Sequence, residues 1–220
     1  MRAVLKNIVS TTYKPLLVRY LSKTRTYRYK DIQLSIAPEV FHPGFFTSTL
    51  FLLQHLTRLP LKGKELLELG AGSGLIAIAA AKKGAIVTAT DINPVSIEYL
   101  HSNSVENDVS LEIIKSDLFD HIPQKKFDLV VINPPYYKKQ PQTWKDHAWY
   151  CGENGEYFSK LFSQLKVHIH DASEVLMVLC DGCDLEMIKG FAAGNGFNFR
   201  LLLTKQTMLE KNFIYKIETV

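Results

Sequence analysis

From Glu65 to the C-terminus, short apolar runs and amphipathic stretches take turns along the chain. Runs at Glu65–Leu69, 86–90, 111–115, Phe127–Ile132 and 175–180 have the length and the leucine-, isoleucine- and valine-rich character of strands buried on both faces. Between them, helical spacing of apolar groups appears at 73–83, Pro94–Glu106, about 157–168 and about 185–193. Alternating strand and helix is what a doubly wound, largely parallel sheet demands. The last segment changes character: 197–205 and 213–218 read as two strands joined by a short polar link, which predicts an antiparallel hairpin at the sheet edge. Upstream, Leu5, Ile8, Val9, Leu16, Leu17, Tyr20 and Leu21 give residues 5–22 a helical spacing. Ile32–Ile36 alternates like a short strand, and a second helix is predicted over about 47–59. There is no internal repeat and no low-complexity tract, so glycine and proline alone punctuate the chain.

A chain of 220 residues with 46% hydrophobic content has enough apolar material for one α/β domain with a sizeable core. The expected division is a short basic N-terminal extension, residues 1–35, packing on a main domain at 36–220. No apolar run approaches the ~18 residues of a membrane span. The N-terminus has no hydrophobic segment followed by a small-residue cleavage site, so a cytoplasmic location without membrane contact is expected. Cys151, Cys180 and Cys183 are too few for the paired framework of a small secreted domain. Cys180 and Cys183 form a C-x-x-C, but no second cysteine or histidine pair completes a zinc site; they read as buried thiols at a strand end, and no metal is expected.

Charge adds one feature. Residues 1–30 hold eight Lys or Arg and no acid, while the other 190 residues carry a net −4. Tyr13, Tyr20, Tyr27 and Tyr29 are interleaved with those cations. Such a mixture can grip phosphates and stack on bases, or form a solvated basic helix covering one end of the sheet, and both readings stay open.

Two segments carry chemistry. Glu68-Leu69-Gly70-Ala71-Gly72-Ser73-Gly74 lies between an apolar strand and an alanine-rich helix, where Gly70, Gly72 and Gly74 let a ligand approach the backbone and the helix start offers free N–H groups. A nucleotide-like ligand belongs there. A dinucleotide loop would place its third glycine one residue later, where Leu75 stands, so an NAD-dependent oxidoreductase is set aside. Asp91 ends the next predicted strand, where its carboxylate could accept both hydroxyls of a ribose, and Asn93-Pro94 supplies a helix cap and first helical residue. Asp117 follows the third strand, as a ligand contact or as a turn cap. Ala71, Ile92 and Leu118, beside these residues in sequence, complete the expected cofactor surface.

The fourth strand runs directly into Asn133-Pro134-Pro135-Tyr136, at the carboxyl end where doubly wound sheets bind ligands. An amide or aromatic amine has its lone pair delocalised and attacks an electrophile poorly unless acceptors hold its hydrogens. The Asn133 side-chain oxygen and the Pro134 carbonyl are suited to that task, with the prolines stiffening the loop and Tyr136 stacking on a planar group. An ordinary strand-ending turn with an aromatic lid would look the same in isolation.

The G-x-G-x-G loop preceded by Glu68 resembles motif I of class I methyltransferases, and together with Asn133 to Tyr136 the chain resembles the HemK family. Cys151-Gly152-Glu153-Asn154-Gly155-Glu156-Tyr157-Phe158 is similar to that family's G-G-x-x-G-x-x-Y/F stretch, and the likeness runs from about residue 35 to the end. It implies a Rossmann-like, seven-stranded, mostly parallel sheet and S-adenosyl-L-methionine as cofactor. Asp91 would then take the ribose, Asp117 the adenine amine, and Asn133 would contact cofactor as well as acceptor. Val40 to Gly44 and Thr47 to Thr49 resemble the segment that closes over the methionine end of the cofactor, with Thr49 the contact; His42 lies in it too. His168 and His170, near a helix end, are expected to be surface or capping residues.

Known HemK members methylate the glutamine of the Gly-Gly-Gln motif of peptide-chain release factors. The resemblance therefore implies a macromolecular acceptor, protein or nucleic acid, since the same chemistry serves exocyclic amines of adenine and guanine in RNA and DNA. Bacterial members carry a separate N-terminal helical bundle that docks the substrate, and only about 35 residues precede the match here. Shorter members use a partner subunit. Lys138 and Lys139 fit phosphate, an acidic protein or a solvated loop equally well. A nucleotide-binding scaffold that has lost catalysis is the remaining alternative, and intact Asn133, Pro134 and Tyr136 speak against it.

Overall fold

The computed structural model describes residues 20–208 and 210–220. The helix expected over 5–22 falls almost wholly outside the described residues, as does most of the basic segment. The first described strands are β1 (Arg25–Tyr29) and β2 (Ile32–Ile36), which pair antiparallel as a separate two-stranded sheet. Seven further strands form the main sheet: β3 (Glu65–Leu69), β4 (Ile86–Asp91), β5 (Glu112–Lys115), β6 (Phe127–Ile132), β7 (Ile169–Cys180), β8 (Phe197–Gln206) and β9 (Lys211–Thr219). Their order is β5-β4-β3-β6-β7-β9-β8, with β5 through β7 parallel and β9 antiparallel to both β7 and β8. This is the mostly parallel seven-stranded sheet with a C-terminal antiparallel hairpin that was expected above.

Helices α1 (Thr47–Leu56), α2 (Leu75–Lys82) and α3 (Pro94–Glu106) cover one face of the sheet, and α4 (Glu156–Leu165) and α5 (Leu185–Gly194) the other. The central strands feed both layers. In β6, Leu129 and Val131 enter the first core while Val130 and Ile132 enter the second. A strand buried on both faces shows an apolar run rather than alternation, which is why these strands are legible. In α4, Phe158, Leu161, Phe162 and Leu165 fall on one stripe and are wholly buried. In α2, small Ala77 and Ala80 let the helix lie close to the sheet.

Residues 25–29 are strand, not the continuation of a basic helix, because Tyr27 and Tyr29 pack toward the core on one side. Arg25 and Arg28 are engaged inside this region: Arg25 Nε donates to the Tyr20 carbonyl (2.7 Å) and Arg28 Nε to Gln33 Oε1 (2.7 Å). β2 spans the boundary expected after residue 35 and buries Ile32, Leu34 and Ile36 in the main core. The hairpin is pinned by α3. Asn103 Oδ1 accepts from Ser35 N (2.8 Å), and its Nδ2 donates to the carbonyls of Ser35 (3.0 Å) and Ser73 (2.9 Å). One turn on, Asn107 makes the same two-way pairing with Gln33. Two side-chain amides thus imitate a strand edge and join the hairpin to the glycine loop.

The cofactor and acceptor cavity

Because β3, β4, β5 and β6 are parallel, the loops that follow them leave the same edge of the sheet, where the order reverses between β3 and β6. A cavity of about 340 Å³ opens there. It is lined by Glu68, Gly70, Ala71 and Gly72 after β3, Asp91 and Ile92 after β4, Asp117 and Leu118 after β5, and Asn133, Pro134, Pro135 and Tyr136 after β6, with Thr49 from α1. Of the expected site residues, Gly74 stands apart, as does His42. Gly74 caps α2 at φ 87°, and a Cβ there would lie 2.7 Å from Leu100 Cδ2, so its lack of a side chain serves helix packing.

Gly70, at φ 70°, has open space where a Cβ would project. This is a backbone shaped to receive a ligand, and the first N–H groups of α2 lie behind it. Glu68 accepts from Ala77 N (2.7 Å) in the first turn of α2. Burial, opposed by that bond and reinforced by the nearby Asp91 charge, pushes its carboxyl up to about 8. Asp91 is held from both sides: Oδ2 accepts from Gly72 N and Oδ1 from Asn93 N, each at 2.8 Å. Its pKa is raised by burial despite these donors. A side-chain hydrogen bond with Ser96 holds the carboxylate further, and Asp91 lines the cavity. Asp117 Oδ2 accepts from Lys160 Nζ (2.6 Å), which also bridges to Asp120. Leu118 follows at φ 51°, an unusual value for a side chain of this kind, with the side chain buried.

At the chemical end, Asn133 Nδ2 donates to Thr49 Oγ1 (3.0 Å). That bond fixes the amide and leaves Oδ1 as its accepting face. Tyr136 lies against Tyr137, ring centroids 4.8 Å apart, and burial raises its hydroxyl pKa. The loop that follows folds back on itself: Tyr137 N donates to the Trp149 carbonyl and Cys151 N to the Tyr137 carbonyl, both at 3.0 Å. It brings Cys151 and Gly152, and with them Tyr157, to the cavity wall. Burial and the neighbouring Asp117 and Asp91 raise the Tyr157 pKa.

Several wall residues were not anticipated. Phe41, Phe46 and Trp149 form an aromatic cluster with centroid distances of 4.7–5.3 Å. Trp144, His147, Lys160 and Glu210 also line the cavity. Phe41 lies in the Val40–Gly44 segment singled out above; the others belong to no local motif, and long-range folding brings them together. His42, expected near the cofactor, does not line the cavity; it packs edge-on against Tyr27 (5.4 Å) while its Nδ1 accepts from Gly44 N (3.1 Å). His168 is buried, not a surface residue, and stacks on Phe119 at 4.6 Å. Cys180 does end β7, with its sulfur 3.8 Å from that of Cys183.

Residues 31–150 match the model of the methyltransferase small domain. The chain belongs to that family. A putative protein N5-glutamine methyltransferase of Methanocaldococcus jannaschii is 41% identical over 108 residues, 49% of this chain and 52% of that protein. The chain spans about half the length, or less, of the curated relatives it matches. Among solved structures, the E. cuniculi Mtq2–Trm112 complex, responsible for methylation of the eRF1 termination factor, aligns with a TM-score of 0.63 at 22% identity, covering 83% of this chain and 99% of that one. The T. thermophilus 16S rRNA N2 G1207 methyltransferase, in complex with AdoMet and guanosine, aligns with a TM-score of 0.65 at 19% identity, over 88% of this chain and 50% of that one. The family's cofactor is S-adenosyl-L-methionine, and the glycine cradle and the anchored Asp91 have a chemistry that fits that molecule. No helix among the described residues is long and apolar enough to cross a membrane.

Proposed function

We propose that the chain is an N-methyltransferase that modifies the planar amide of a glutamine side chain in a protein, as HemK enzymes do, in the cytoplasm. The observation that carries this is the Asn133 amide, locked by Thr49 with Oδ1 available, in one cavity with the glycine cradle. The similarity to a putative glutamine methyltransferase supports it. Bound S-adenosyl-L-methionine supplies an activated methyl on sulfur. Asn133 Oδ1 and the Pro134 carbonyl accept the two amide hydrogens, turning the nitrogen lone pair toward that methyl. Pro134 and Pro135 hold the loop rigid, and Tyr136 walls the acceptor side. The aromatic cluster of Phe41, Phe46 and Trp149 excludes water. A partner subunit, as in the Mtq2–Trm112 complex, would complete the acceptor groove.

A second reading, methylation of an exocyclic amine of adenine or guanine in RNA or DNA, is favoured by exposed Trp144 at the cavity, with Lys115 Nζ 5.7 Å from its ring centre. Aromatic and cation side by side suit a stacked base. The test is tritiated methyl transfer into an extract of cells lacking the enzyme, with the product split by protease and by nuclease. Label lost to protease and located on glutamine establishes the first reading; label lost to nuclease establishes the second. Asn133→Ala is expected to keep cofactor affinity and lose about 100-fold or more in rate, as for one transition-state hydrogen bond; full activity in that variant rules out the mechanism.

A further inference from the structure

Glu210 lies on the link between β8 and β9, and the antiparallel pairing of β9 with β7 sets that link at the same edge as the end of β6. The side chain lines the cavity with Asn133, Tyr136 and Thr49. It is held firmly, and from one side only. Thr47 Oγ1 donates to Oε1 at 2.6 Å, and Asn212 Nδ2 donates to the same oxygen at 3.1 Å and to Thr47 Oγ1 at 2.9 Å. Thr47 opens α1, whose N-cap, Phe46, provides no side-chain bond, so the carboxylate also lies near the uncapped positive end of a helix. Asn212 is wholly buried and its Oδ1 meets no partner. A buried amide oxygen left unpaired is a cost that a residue serving only stability would avoid; here the amide is turned to fix Glu210. Among the described residues no donor reaches Oε2.

We infer that Glu210 is a specificity-determining residue of the acceptor site, its second carboxylate oxygen accepting a hydrogen bond from an N–H of the substrate. Asn133 Oδ1 and the Pro134 carbonyl serve the nitrogen that receives the methyl; Glu210 reads a further N–H close by. In a glutamine-bearing protein segment this is a main-chain N–H beside the modified residue. The same oxygen repels phosphate or carboxylate at that end of the cavity. The inference rests on the N-methyltransferase reading and deepens it: the acceptor presents more than one N–H, and is neutral or cationic where it meets Glu210.

The test compares Glu210→Gln with the wild type in the extract-labelling assay at limiting extract, where the rate follows kcat/KM for the acceptor. The substitution keeps size and leaves an oxygen for Thr47 and Asn212, but turns an NH2 donor toward the cavity. The expected result is a fall of about 10- to 100-fold in labelling rate, the worth of one hydrogen bond to a charged group. Cofactor affinity and thermal midpoint should stay at wild-type values. Glu210→Asp, which keeps the charge, should recover part of the rate. Wild-type labelling by Glu210→Gln overturns the inference alone. A parallel loss of cofactor binding or of the thermal midpoint also overturns it, by showing that the residue is structural. If the wild type labels no extract component, the N-methyltransferase reading fails and the inference falls with it.

Discussion

Glu68 shows how one carboxylate can serve both fold and site. It crosses from the end of β3 to accept the Ala77 N–H of α2, fixing the helix start behind the glycine cradle. Burial carries its pKa to about 8, from an ordinary value of 4.5. Between those two values the folded protein binds a proton that the unfolded chain has released, so the stability from this group is fully present below about 4.5 and is lost as pH rises through about 8. Glu68→Gln imitates the protonated form and should flatten that slope. Urea unfolding of both proteins at pH 5 and pH 8 checks it: the variant should gain on the wild type at the higher pH, at about 1.4 kcal/mol per pH unit traversed. An unchanged difference between the two pH values would mean that Glu68 is ionised in the folded state throughout.

Among the elements, α3 carries the most informative coupling. Asn103 joins β2 to the Ser73 carbonyl in the glycine loop, so the hairpin and the cofactor cradle share one side chain. Asn103→Ala strands the part-buried Ser35 N–H and carbonyl and the buried Ser73 carbonyl, and a loss of about 1–3 kcal/mol is expected from urea unfolding, together with weaker cofactor binding. Cofactor affinity equal to wild type would show that the hairpin does not brace the loop. This coupling could not be read from the sequence, because Asn103 sits in a helix with no local signal and its partners are about 30 and 68 residues away. By contrast, β3 through β6, the buried 175–180 half of β7, the glycine loop, Asp91 and Asn133 to Tyr136 were legible, since buried parallel strands and strand-ending turns write their identity locally, whereas the more exposed 169–174 half of β7 was missed. β1 was missed because its alternation is carried by Arg, Thr and Tyr, not by aliphatic side chains. Lys160, Trp149 and Glu210 were missed for the same reason as Asn103: topology alone brings them to the cavity.

For the molecule as a whole, the edge where β3, β4, β5 and β6 end is a convergence of loops that the two cores support from behind, and a ligand bound there joins all four. Binding to the folded state alone must therefore stabilise the entire chain. At a cofactor concentration a hundred times Kd the gain is about 2.7 kcal/mol. For a domain of this size that is a rise of roughly 5–10 °C in Tm. S-adenosyl-L-methionine, or its demethylated product, should produce this shift in a thermal melt of the wild type. Asp91→Ala should shrink it, because the carboxylate that Gly72 and Asn93 hold in place, the one assigned to the ribose in the proposed reading, is gone. Asn133→Ala should retain most of it, because the role derived for that amide concerns the acceptor nitrogen. The two variants thus divide the cavity into a binding half and a chemical half. No shift with the wild type would contradict the cofactor assignment, and equal loss in both variants would show that Asn133 holds the cofactor as strongly as it serves the acceptor.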